Sequence, residues 1–208
     1  MDNWERKEHF HHYTNQVPCS YSVTISIDIT ELLLKIKKNN IKLYPAIIYS
    51  LSTIVNQHNE FKMSQDENGN IGYFDIIHPA YTIFHKDTET FSSIWTEYFP
   101  NFSQFHNNYL LDTKLYHNNK NMFPKKNLPL NLFNISMIPW IDFSGFNLNL
   151  SKNENYFLPI FTIGKYTKND NKNLLPIAIQ VNHAVCDGFH VARFINDLQA
   201  LINASGFI

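Results

Sequence analysis

The sequence predicts an α+β fold: one domain over residues 1–208, a mixed β-sheet with helices packed on it. Three observations lead there. The stretch "YSVTISIDIT" alternates apolar and polar side chains with the period of a half-buried strand. Strand-like and helix-like segments then mix without strict alternation, which disfavours a doubly wound parallel sheet. Finally, 44% of the 208 residues are hydrophobic and only 17% charged, enough apolar mass for a core and too little charge for a disordered chain. No repeat, linker or low-complexity tail divides it.

Each element has its own signal. In "YSVTISIDIT", Val23, Ile25, Ile27 and Ile29 share one face, and Ser22, Thr24, Ser26 and Asp28 the other. Thr30 is placed to cap a short helix, "ELLLKIKKNN". Pro45 suits the first turn of the next helix, whose inner face is Ile47, Ile48, Leu51, Ile54 and Val55. From Phe61 to His85 the pattern is short strands, with "DENGN" a hairpin turn and "IIHPAYTIFH" a strand pair or one long bent strand. The aromatic-rich "FSSIWTEYF" and "FSQFHNNYLLDTKLY" read as helical, and "NNKNMFPKKNLPLN" as a loop. Strands resume at "LFNISMIPW", "FLPIFTIGKY" and "LLPIAIQVN". After Gly188 an amphipathic helix places Val191, Phe194, Ile195, Leu198, Leu201 and Ile202 on one face.

Bulk properties exclude several classes. The net charge of −1 gives no basic field for a nucleic-acid partner, and Lys35, Lys37 and Lys38 read as a solvated helix end. The N-terminus has no secretory pattern, and the most apolar long segment, Leu43 to Val55, is too short for a membrane span. A cytoplasmic protein with no membrane partner is expected, its two cysteines reduced. The six glycines form no nucleotide-binding pattern.

Chemistry concentrates in "QVNHAVCDGFH", Gln180 to His190, a tight connection from strand to helix. Rigid elements on both sides would hold its side chains. His183 is a candidate general base, or a satisfied structural histidine. Asp187 is a helix cap, or an acid that fixes the turn by pairing with a distant cation. Cys186 is a nucleophile activated by His183, or a small core residue; three positions apart in a turn, two side chains seldom face each other. His183 and His190 match no zinc spacing, so no metal is expected, and "HFHH" at His9 to His12 reads as a solvated helix surface. Ser144 in "FSGF" lacks the hydrolase elbow.

H-x-x-x-D-G on such a turn resembles the active-site motif of coenzyme A-dependent acyltransferases. The longer "NHAVCDGFHVARFIN" resembles that of the chloramphenicol acetyltransferase family. "NWERKEHF", "YPAIIY", "HPAYTIFHKDTETFSS", "NISMIPW", "FNLNLS" and "IFTIGKY" resemble the same family in order, so the likeness spans the chain. It implies a chloramphenicol acetyltransferase-like fold and an antibiotic-resistance enzyme that transfers acetyl directly from acetyl-CoA, without a metal, to a primary hydroxyl of chloramphenicol. His183 would be the base, and Ser136 would stabilise the tetrahedral oxyanion on the coenzyme side. Asp187 would pair with Arg6, and the inner nitrogen of His183 would bond its own carbonyl. The pocket would take Tyr13, Val17, Cys19, Thr82, Phe91, Phe123, Phe146, Leu148 and Thr162, with Tyr166 toward coenzyme A. The resemblance also implies a homotrimer, with His183 from one subunit and most of the chloramphenicol pocket from its neighbour. Asn182 departs from the family's usual first His of a His-His pair, and Val17 stands where Leu is common. Three other readings stay open: an acyltransferase for another hydroxyl compound, a non-catalytic drug binder, and a Cys186 thiol enzyme.

Overall fold

In the computed structural model, which describes residues 4–150 and 156–208, a mixed seven-stranded sheet carries the helices. Asn3 of "NWERKEHF" and Ser151 of "FNLNLS" lie outside the described residues. A short helix α1 (Lys7–His11) runs into a π-helical turn (His12–Gln16) and then into strand β1 (Ser20–Asp28). Helices α2 (Thr30–Lys38) and α3 (Leu43–Gln57) follow, then the hairpin β2 (Met63–Gln65) and β3 (Ile71–Tyr73). Next come β4 (His78–His85), β5 (Thr90–Trp95), α4 (Phe102–Tyr116), β6 (Leu132–Met137) and β7 (Ile160–Ile163). The chain closes with β8 (Thr167–Asn169), β9 (Lys172–Asn182) and α5 (Gly188–Ala204).

The sheet order is β1-β9-β7-β6-β4-β5, with β8 paired to β9. β4, β6 and β7 run parallel; the other pairs are antiparallel. The near-continuous apolar run "LLPIAIQV" becomes β9, a central strand flanked by β1 and β7 and buried from Leu175 onward. Helix α3 is buried along most of its length and packs on α5, α4 and β4. The core gathers Phe61, Phe133, Phe161 and Phe194; Phe161 stacks on Phe194 at 5.4 Å. Each such side chain contributes about 2 to 3 kcal/mol by leaving water, and truncating Phe194 to Ala would cost about 4 kcal/mol. Just past β7, Gly164 leaves no room for a side chain, since a Cβ there would meet Phe143 and Pro176 at 2.7 Å.

Three local expectations are corrected. "FSSIWTEYF" is not helical: Thr90–Trp95 form β5, with Phe91 opposite Phe84 on β4. Of the two readings left open for "IIHPAYTIFH", the single strand holds, over His78–His85. Thr30 starts α2 rather than capping it, because the Asp28 carboxylate, two residues earlier, accepts both its N–H (3.1 Å) and its hydroxyl (2.7 Å). In "FLPIFTIGKY" only Ile160–Ile163 is strand, although Gly164 N–H still donates to Pro176 O on β9 at 2.9 Å.

Candidate active site

The connection from β9 to α5 is fastened by its own backbone. Asn182 accepts three bonds: its side-chain oxygen from Ala184 N–H (2.9 Å), and its carbonyl from Val185 N–H (3.2 Å) and Cys186 N–H (3.0 Å). The residue that departs from the His-His pattern therefore closes an Asx-type turn. His183 N–H donates to Cys19 O at 3.0 Å, tying the turn to the segment ahead of β1. Asp187 precedes α5, and its N–H donates to His190 Nδ1 at 3.0 Å. His190 is thus a helix-start acceptor. Burial lowers its pKa, the direction that keeps this nitrogen free to accept.

Aromatic rings frame the His183 side chain. Tyr13 stacks on it, centroids 3.9 Å apart and 9° from parallel, and Tyr21 meets it edge-on at 5.2 Å. Its Nδ1 is buried, 3.3 Å from Asp187 Oδ1, but makes no hydrogen bond among the described residues. The inner nitrogen therefore does not bond its own carbonyl, contrary to what the resemblance implied. That carbonyl faces Arg6 Nη2 instead, at 3.4 Å, as does Ala184 O. Arg6 grips Asp187 with both guanidinium arms, Nη1 on Oδ2 and Nη2 on Oδ1 (3.1 Å). Burial pushes the Asp187 carboxyl up, but hydrogen bonding and charge from Arg6 outweigh it, and the net pKa is lowered.

A second cluster lies elsewhere on the sheet. Ser136 on β6 faces Thr162 on β7 in register, their hydroxyl oxygens 3.3 Å apart. Ser136 lines an open, mainly apolar cavity of about 500 Å³ with Thr82, Phe91, Phe123 and Leu148. Phe84, Met122 and Trp140 also line it. None of these three stood out in the sequence, although the "IFHKDTETF" hairpin, once read as strands, puts Phe84 opposite Phe91.

His183 is not in that cavity. Ser136 is in register with Thr162, and Thr162 with Ala178 on β9. His183 lies five residues beyond Ala178, just past the end of β9. Two strand spacings and that run of β9 put Ser136 and His183 of one chain roughly 15 to 20 Å apart. The site residues therefore fall into two groups. Arg6, Tyr13, Cys19, His183 and Asp187 form one; Ser136, Thr162, Thr82, Phe91, Phe123 and Leu148 form the other. Val17 is half-exposed just before Cys19. Phe146 lines a different hollow beside β1, its N–H donating to Thr24 Oγ1 at 3.2 Å. Tyr166, partly exposed between β7 and β8, lines neither. Cys186 is 1% exposed, and burial raises its thiol pKa well above the ordinary value, the opposite of what a nucleophile needs.

The fold is that of the coenzyme A-dependent acyltransferases. A chloramphenicol acetyltransferase structure superposes with a TM-score of 0.89 at 20% identity, covering 97% of this chain and 96% of that one. The dihydrolipoamide acetyltransferase of Azotobacter vinelandii gives 0.66 at 17% identity, covering 95% and 86%. The family model "Chloramphenicol acetyltransferase" matches residues 1–199. A chloramphenicol acetyltransferase of Clostridium perfringens is 55% identical over 98% of this chain and 96% of its own length. One from Clostridioides difficile is 54% identical over 97% and 93%. The chain belongs to the chloramphenicol acetyltransferase family and is an acyltransferase.

Proposed function

We propose that this enzyme acetylates the primary hydroxyl of chloramphenicol with acetyl-CoA as cosubstrate, in the cytoplasm, and so confers resistance to the drug. The whole chain serves as one acyltransferase domain in this reading. His183 Nε2 takes the hydroxyl proton as the oxygen attacks the thioester carbon. The Ser136 hydroxyl donates to the oxyanion of the tetrahedral intermediate, a bond that strengthens as charge develops. Collapse expels the coenzyme A sulfur, which recovers the proton from His183. Arg6 and Asp187 hold the turn that carries the base. Tyr166 sits on the coenzyme A side. The cavity between Phe91 and Phe123 is apolar with few polar groups, as an aromatic, dichloroacetyl-bearing diol requires.

The observation that carries this reading is the separation of base and cavity. Each group is built and neither is sufficient. In this reading the enzyme is a homotrimer of copies arranged head-to-tail, with His183 of one against the Ser136 cavity of the next, as the family resemblance implies.

Release of free coenzyme A on mixing protein, acetyl-CoA and chloramphenicol tests the reaction, with His183→Ala alongside. Drug-dependent release, lowered about a thousandfold in the variant, is expected. Release with other hydroxyl compounds but not with chloramphenicol would move the assignment to another acceptor. Drug binding without release would make the protein a binder.

A further inference from the structure

Phe123, one wall of the cavity, stands on the long connection 117–131 between α4 and β6, which has no secondary structure of its own. Such a loop is an imprecise support for a pocket unless it is anchored. It is anchored on both sides of Phe123. Upstream, Ser93 N–H on β5 donates to Met122 O at 2.7 Å. The Ser92 hydroxyl, bonded to buried His85 Nε2 (2.8 Å), lies 2.8 Å from both Asn119 O and Asn121 O. Downstream, Lys125 Nζ donates to Asp112 Oδ1 on α4 (2.7 Å) and to Trp95 O at the end of β5 (2.9 Å). It also sits 4.0 Å from the Trp95 ring centroid.

Lys125 and Asp112 are both largely buried, and the bond network continues inward. Thr96 Oγ1 donates to Asp112 Oδ2 (2.8 Å), and the Tyr81 hydroxyl meets Thr96 Oγ1 (2.8 Å). Between the Met122 and Lys125 anchors lie only Phe123 and the buried Pro124, whose ring fixes its own φ. The backbone around Phe123 is thus pinned to the strand that carries Phe91, which lines the same cavity.

Resting on the acyltransfer reading, we propose that Lys125 is a positioning residue for the acceptor: its grip on Asp112 and Trp95 sets the gap between Phe123 and Phe91. Without the grip, the acceptor must order that wall as it binds, which weakens binding without touching the base or the coenzyme.

The test is the steady-state kinetics of Lys125→Met and Lys125→Arg, with thermal melts. Lys125→Met keeps the alkyl stem and loses the donors. Its KM for chloramphenicol should rise about tenfold, while kcat and the KM for acetyl-CoA stay within about twofold. Lys125→Arg, which keeps charge and donors, should restore most of the affinity. Because Lys125→Met leaves Asp112 without its cation, the double variant Lys125→Met/Asp112→Leu removes both charges and keeps the test open should the single variant not fold. The same rise in chloramphenicol KM is expected there. An unchanged chloramphenicol KM in a folded variant overturns the proposal. So does a fall in kcat and melting temperature with both KM values unchanged. A wild type that acetylates no chloramphenicol overturns the underlying reading as well; an active wild type with an indifferent Lys125 overturns the clamp alone.

Discussion

The ring of Tyr13 lies flat against the ring of His183, 3.9 Å between centroids and 9° from parallel. The stack, with Tyr21 at the edge, fixes the plane of the imidazole, whose Nδ1 lies 3.3 Å from Asp187 Oδ1 and makes no hydrogen bond among the described residues. Packing therefore holds the ring plane, and the Asp187 carboxylate beside Nδ1 favours the edge that faces it. Tyr13→Phe keeps the ring and should retain kcat within about threefold, whereas Tyr13→Ala frees the imidazole and should lower kcat about a hundredfold. Coenzyme A release at saturating substrates measures both.

Arg6 and Asp187 give the turn that carries His183 an acid-sensitive fastening. The folded pKa of Asp187 is depressed, so its stabilisation is fully present above the unfolded value, about 4, and is lost as pH falls through the lower folded value. Asp187→Asn should cost about 2 kcal/mol at pH 7, since a third of the side chain remains exposed and the pair is not fully desolvated. The gap in melting temperature between wild type and variant should narrow as pH is lowered from 5 toward about 3. Lowered carboxylates elsewhere, such as Asp28 and Asp66, act on both proteins alike.

Cys186 packs in the core with its sulfur 3.6 Å from Glu60 O. Cys186→Ala should leave kcat/KM within about twofold and cost about 1 kcal/mol of stability. Titration with a thiol reagent should find slow reaction at Cys186 until denaturant is added, while the partly exposed Cys19 reacts in the folded protein. Loss of activity in Cys186→Ala with stability retained would restore the thiol-enzyme reading.

Much of the fold was legible because hydropathy and burial agree. The alternation in β1, the apolar run of β9 and the stripe on α5 each point inward where the sequence places them. β5 was misread because they disagree there. Ser92 is fully buried, spending its hydroxyl on loop carbonyls, while Phe91 is 45% exposed at the cavity. Only Phe91 and Ser92 are inverted, for Ile94 is buried, and with two serines side by side no period-two apolar pattern marks the strand. His183, its turn and the Arg6–Asp187 pair are legible through motif and resemblance. Phe84, Met122 and Trp140 are not, because nothing in their local spacing distinguishes a pocket wall from a core residue. Nor can periodicity show that Ser136 and His183 stand apart in one chain; only strand register does.

That separation can be put to a mixing experiment. His183→Ala keeps the Ser136 cavity and should be about a thousandfold less active; Ser136→Ala keeps the base and should be about a hundredfold less active. The two are co-expressed with different tags, and oligomers carrying both tags are isolated. In a head-to-tail trimer, each mixed assembly rebuilds one intact site from His183 of one protomer and Ser136 of its partner. The doubly tagged fraction should then recover about a third of wild-type specific activity with chloramphenicol and acetyl-CoA. Doubly tagged oligomers no more active than Ser136→Ala alone would mean that base and cavity do not meet between subunits.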